Sequence, residues 1–179
     1  MRKLGLVALA IAMSTGVPAE AGKRDWYIGI EGGGEFDGGA TGDNSGWAGL
    51  VTLGAGLTEH LSLEGELGYR TTGSDGYGGL YADVDQLSFM ANLVYEAPLS
   101  KEVSFAIGVG LGVDQVNLDY YYYFSPDYGE LEVMGQLKLG LSVAASESTD
   151  LVANYRYTES ITSSPVDNST LTVGFRFEL

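Results

Sequence analysis

Leu171-Thr172-Val173-Gly174-Phe175-Arg176-Phe177-Glu178-Leu179 is the last stretch of the sequence, and its alternation decides the fold. Every odd position is apolar, and every even position is Thr, Gly, Arg or Glu. Successive side chains of a strand point to opposite faces, so this is a strand with one greasy face and one polar face. It runs to the final residue without a polar tail. Terminal segments of soluble domains usually fray in water. A strand this apolar is stable at a terminus when it is sealed between the first strand and its own predecessor, as in a closed membrane barrel.

Seven earlier stretches repeat the pattern: residues 26–32, 47–57, 61–70, 84–96, 103–114, 131–143 and 151–158. The clearest is the third, where Leu61, Leu63, Gly65, Leu67 and Tyr69 alternate with Ser62, Glu64, Glu66, Gly68 and Arg70. The second is the least clean, because Leu50 falls in the same phase as Ala48, Thr52, Gly54 and Gly56. Long Gly/Asp/Asn/Tyr-rich connections over about 36–46, 71–83, 117–129 and 159–168 alternate with short turns at 58–60, 97–101 and 144–149. Eight strands near the roughly 9–11 residues of a tilted membrane strand, joined by alternately long and short links, predict an all-β, eight-stranded antiparallel up-and-down transmembrane barrel. An even strand number puts both termini on one side, the periplasmic one.

The first residues read as a secretory signal. Arg2-Lys3 is a basic start, Leu4 to Met13 a short apolar run, and Ala19-Glu20-Ala21 a small-residue cleavage site. The apolar run is far short of the roughly 20 residues of a spanning helix. The expected organisation is a signal peptide over 1–21 and a barrel domain over 22–179. The 179 residues carry a formal net charge of −15. Removing Arg2, Lys3 and Glu20 makes the remainder one unit more negative, which argues against nucleic acid. With no cysteine there is no disulfide framework, thiolate metal site or thiol nucleophile.

Three details assign the greasy face to lipid. The apolar phases are long and free of charge, where a charge costs roughly 2–4 kcal/mol at the midplane. Aromatics cluster at strand ends: Trp26, Tyr95, Phe105 and Phe177 at the periplasmic end, Trp47, Tyr69 and Tyr157 at the outer end. Such girdles sit where amphipathic rings meet headgroups. The polar phase is small residues plus isolated charges of both signs, as in a crowded lumen. Glu31, Glu64, Glu66, Glu96, Asp114 and Glu132 face Arg70, Lys138, Arg156 and Arg176 there, and in a narrow interior they must pair. Height along the strands suggests Glu66 with Lys138, Glu64 or Glu96 with Arg176, and Glu31 or Glu132 with Arg156.

With these features the chain resembles the small OmpA/OmpX-type outer-membrane barrels of Gram-negative bacteria and the broader outer membrane protein beta-barrel domain and opacity-like group. The resemblance covers essentially Gly22 to Leu179 and brings no catalytic motif. It implies a cell outer-membrane location, contact with outer-membrane lipid and lipopolysaccharide, and recognition of the closing strand by the outer-membrane assembly machinery. In that family the last residue is usually aromatic; here Phe175 and Phe177 are in phase and Leu179 is last. A monomer is expected.

Chemistry is sparse. His60 is the single histidine and stands beside Glu59 and Ser62 in a turn on the periplasmic side. Sequence neighbours do not make a triad, which is defined by geometry, and one histidine cannot build a His-rich zinc site. No catalytic residue, cofactor or metal is expected. The outer connections are acidic and hold no Lys or Arg. Charge repulsion that keeps them extended is preferred over Ca²⁺ uptake by Asp37, Asp43 and Asn44 or by Asp75 and Asp83, because the spacing is not that of an EF-hand. Within Tyr120–Phe124, alternate tyrosines are read first as extending strands five and six above the membrane, with one set joining the outer girdle; the alternative makes Tyr121 and Tyr123 candidates for contact with a surface ligand. The reading is a non-enzymatic envelope-structural or surface-interaction protein. A narrow porin-like channel is the alternative, and an outer-leaflet lipid hydrolase ranks last.

Overall fold

The computed structural model describes residues 26–37, 45–74, 82–120, 130–162 and 167–179. Eight strands follow in order: β1 (Trp26–Asp37), β2 (Ser45–Gly56), β3 (Leu61–Ser74), β4 (Ala82–Pro98), β5 (Val103–Tyr120), β6 (Glu130–Ala144), β7 (Thr149–Ser160) and β8 (Asp167–Glu178). Each pairs antiparallel with the next, and β8 pairs with β1, so the sheet closes on itself. No helix among the described residues is long and apolar enough to cross a membrane. The proposed signal peptide, Asp43, Asp75, Tyr121 and Tyr123 lie outside the described residues.

The register sets the dimensions. From Tyr27, partners lead to Gly54, Glu64, Asn92, Gly110, Gln136, Thr158 and Asn168, and return to β1 at Asp37, ten residues beyond the start. Ten residues of stagger over eight strands tilts the strands by about 40° and gives a backbone radius of about 8 Å, a lumen that side chains fill.

Burial is inverted relative to a water-soluble protein. Arg156 and Glu66 are 0% exposed, whereas Phe89 is 55% and Val173 62% exposed. Polar groups inside and large apolar groups outside describe a wall made for lipid. The outward apolar run of β4, from Leu87 to Tyr95, stands about 21 Å tall at this tilt, close to the thickness of an outer-membrane hydrocarbon band. Leu50 and Ala48, which blur the pattern of β2, are buried in the lumen.

Several strands are longer than the alternation predicts. β1 continues to Asp37 and β2 begins at Ser45; β3 reaches Ser74 and β4 begins at Ala82; β5 reaches Tyr120, inside the stretch expected to be loop from 117. β4 also runs through Pro98, which the sequence pattern places in a turn. The apolar alternation stops where the lipid stops, but backbone pairing does not need apolar side chains and carries the ladder further. β5 stays paired with β4 as far as Ala82↔Tyr120.

Inward glycines make room for neighbours across the ladder. A side chain at Gly54 would overlap the Tyr27 ring, and one at Gly110 or Gly140 would overlap Asn92 or Asn154. At three positions the obstacle is backbone: a Cβ on Gly33 would strike the Leu171 carbonyl, one on Gly174 the Ile30 carbonyl, and one on Gly112 the Phe89 carbonyl. Gly33 and Gly174 sit at the β1/β8 junction and Gly112 at β4/β5, on opposite sides of the barrel. The wall is therefore sharply bent at two opposed corners, where only a residue without Cβ fits.

Candidate functional site in the barrel lumen

Side chains cross the lumen in three layers. Nearest the short turns, Arg176 on β8 reaches Glu96 on β4 at 2.7 and 3.1 Å, and also Asp150 on β7 at 2.6 and 2.9 Å. Its guanidinium lies 5.3 Å from the centroid of the Tyr27 ring, a cation–π contact. This layer is partly wet, with side-chain exposures of 17–26%.

The middle layer is dry. Arg156 on β7 spans the barrel: its Nε donates to Glu66 Oε2 on β3 at 2.8 Å, while Nη1 and Nη2 donate to the two Glu31 oxygens at 3.0 and 2.8 Å. Thr172 and Asn154 also donate to Glu31, at 2.5 and 2.9 Å. Lys138 donates to Glu64 at 2.6 Å, and the Tyr27 hydroxyl donates to the other Glu64 oxygen at 2.8 Å. Gln136 reaches Asn92 at 3.0 Å.

At the far end Asn168 on β8 donates to Gln86 on β4 at 3.1 Å, again across the lumen. Arg70 and Asp114 approach only to 3.7 Å, too long for a hydrogen bond. Glu132, opposite Asp114 in the register, and Glu35 are also inward and buried. A small cavity of about 30 Å³, room for one or two water molecules, lies between the first two layers, bounded by Arg176, Glu96 and Ser142 on one side and Glu31, Lys138 and Asn154 on the other.

The pairing departs from the sequence expectation at one cation and resolves the choice at two. Lys138 takes Glu64, not Glu66. Of the carboxylates open to Arg176, Glu96 is the one it meets; of those open to Arg156, Glu31 is, with Glu66 as a second partner. The forked guanidinium of Arg156 engages two carboxylates at once in fixed geometry, which leaves the compact ammonium of Lys138 to the third. Sequence reasoning misses Asp150, Tyr27 and Glu35. Each lies in the inward phase, but Asp150 follows directly on a turn, Tyr27 stands in an apolar strand end, and Glu35 lies past the point where the alternation of its strand stops.

The aromatic residues face outward at both ends. Trp26, Tyr95, Phe105 and Phe177 lie at the turn end and Trp47 and Tyr69 at the other, with the Trp47 and Tyr69 rings 5.5 Å apart. Tyr157 is half-buried at that same end, its hydroxyl 3.4 Å from Asp167. His60 sits in the β2–β3 turn with its ring 5.9 Å from that of Tyr95. No group of three or more His, Cys, Asp or Glu suited to a metal occurs among the described residues.

A closed eight-stranded barrel, greasy outside and ion-paired inside, defines a small membrane barrel. The chain belongs to the outer membrane protein beta-barrel domain family, whose model matches residues 5–178. The fold is shared with Neisserial surface protein A, at 18% identity and a TM-score of 0.69 over 86% of this chain and 97% of that one. It is shared with a major outer membrane protein of Thermus thermophilus, at 13% and 0.64 over 86% and 99%. The attachment invasion locus protein Ail of Yersinia pestis, solved in complex with the heparin analogue sucrose octasulfate, matches at 15% and 0.59 over 87% and 97%. No curated protein matches the chain in sequence.

Proposed function

We propose that this protein is a non-enzymatic, closed scaffold of the outer membrane that stabilises the envelope and presents its long connections to a partner outside the cell. The observation that carries this is the Arg156 strut. One guanidinium fastens β7 to β1 and β3 through the driest part of the lumen, so the interior serves cohesion rather than passage. In this reading residues 1–21 are removed on export, the short turns face the periplasm, and the aromatic ends meet the headgroups. The β4–β5 pairing, which continues to Ala82↔Tyr120, supports an outward-reaching connection here. The assembly machinery reads β8, lipopolysaccharide surrounds the wall, and the protein works as a monomer. A sulfated ligand such as the one bound by Ail does not suit this chain, whose outer connections contain no Lys or Arg.

The cavity beneath Arg156 favours a second reading, a narrow small-solute channel gated at that one layer. Single-channel recording in a planar bilayer separates the two. Silence from protein shown to be folded supports the scaffold; small, steady, reproducible steps would replace it with the channel.

A further inference from the structure

Beyond residue 21 the sequence contains two methionines, Met90 and Met134. Both point into the lumen, and they are 1% and 2% exposed. The register places them on either side of Gly112, as its partners on β4 and β6. Gly112 has no side chain, and the Met90 Sδ occupies the space where its Cβ would stand. Asp114 is two residues further along β5 and therefore on the same inward face. Its Oδ2 is 3.7 Å from Arg70, and its buried Oδ1 has no hydrogen-bond partner. The register thus brings two thioether side chains and a buried carboxylate to the same stretch of the inner wall around Gly112.

We propose that Met90, Met134 and Asp114 form a binding site for a soft monovalent metal ion of the copper(I) class. Thioether sulfur selects soft ions over Mg²⁺, Ca²⁺ or Na⁺, which need oxygen shells. Asp114 and Glu132, opposite each other in the register, set two carboxylates against Arg70 and so supply the charge that an ion in a dry interior requires. Leucine would fill the same volume, but it would not ligate; the chemistry rests on sulfur. The other apolar side chains buried in the lumen, Ala48, Leu50, Val94 and Val152, carry no donor atom.

The test uses protein extracted from outer membranes in detergent, with silver(I) as a redox-inert probe in chloride-free buffer. The expected result is one tightly held ion per barrel by equilibrium dialysis. That binding should be lost in Met90→Leu and in Met134→Leu, weakened in Asp114→Asn, and retained in His60→Ala, which removes the single histidine. Leu and Met are close in volume, so folding should survive. Methyl NMR of the unsubstituted protein gives a check independent of any variant: both lumen methionine resonances should shift on silver addition. Absence of binding, binding that survives Met90→Leu and Met134→Leu together, or methionine resonances that do not move would each overturn the assignment.

Discussion

The largest single-residue effect belongs to Arg156, because it is completely buried and serves two carboxylates at once. Arg156→Met leaves Glu31 and Glu66 charged without their shared cation, a change that costs about 3–5 kcal/mol for a buried pair. Urea unfolding in lipid or detergent should show that loss. Arg176→Met should cost only about 1 kcal/mol, since its layer is partly solvated. Equal effects would mean that burial does not rank these pairs. Lys138→Met should also destabilise, and a double-mutant cycle should couple Lys138 to Glu64 rather than to Glu66. Which charges face inward was legible from the two-residue period alone. Which of them meet was not, because partners depend on side-chain reach across a tilted cylinder. Glu64 and Glu66 share a face and differ by one step of height, and sequence carries no measure of that step.

At the scale of the strand, the glycines divide by what lies where their Cβ would be. Gly174→Ala would drive a methyl group into the Ile30 carbonyl at the β1/β8 closure, and Gly112→Ala would meet backbone at β4/β5. Backbone cannot rotate away as a side chain can, so each should cost about 1–3 kcal/mol and slow refolding. Gly65→Ala, whose nearest neighbour is the Leu53 carbonyl at 4.0 Å, should stay within about 0.5 kcal/mol. The shift of the unfolding midpoint and the heat-modifiable gel mobility of the folded barrel measure both. If all three behave alike, the two corners carry no strain. Strand identity and order were readable from alternation because lipid forces one face to be apolar. Strand ends such as Val116–Tyr120 were not, since backbone pairing carries the ladder past the point where the alternation stops. The bends at Gly33, Gly112 and Gly174 were equally hidden, because a glycine that fills a corner and one that yields to an asparagine look the same in sequence.

Across the whole molecule, the distribution of charge predicts how the barrel behaves if its central ion pairs are removed. The lumen-facing carboxylates are Glu31, Glu35, Glu64, Glu66, Glu96, Asp114, Glu132 and Asp150, against Arg70, Lys138, Arg156 and Arg176. Among the described residues Lys101 is the remaining cation, and it sits in a turn. Four of the five Lys and Arg among the described residues thus serve as internal struts rather than as surface charge. Replacing both Arg156 and Lys138 with Ala leaves Glu31, Glu64 and Glu66 around a widened middle layer, directly above the existing cavity. A barrel of this variant that still folds should conduct. Its current should be carried by cations, because a low-dielectric passage lined by one sign of charge concentrates the opposite ion. The measurement is the reversal potential under a KCl gradient, which should move toward the potassium equilibrium value. An anion-selective current would place the conducting path outside this lumen. Silence from the folded variant would mean that Met90, Met134 and Leu50 seal the barrel without help from its charges.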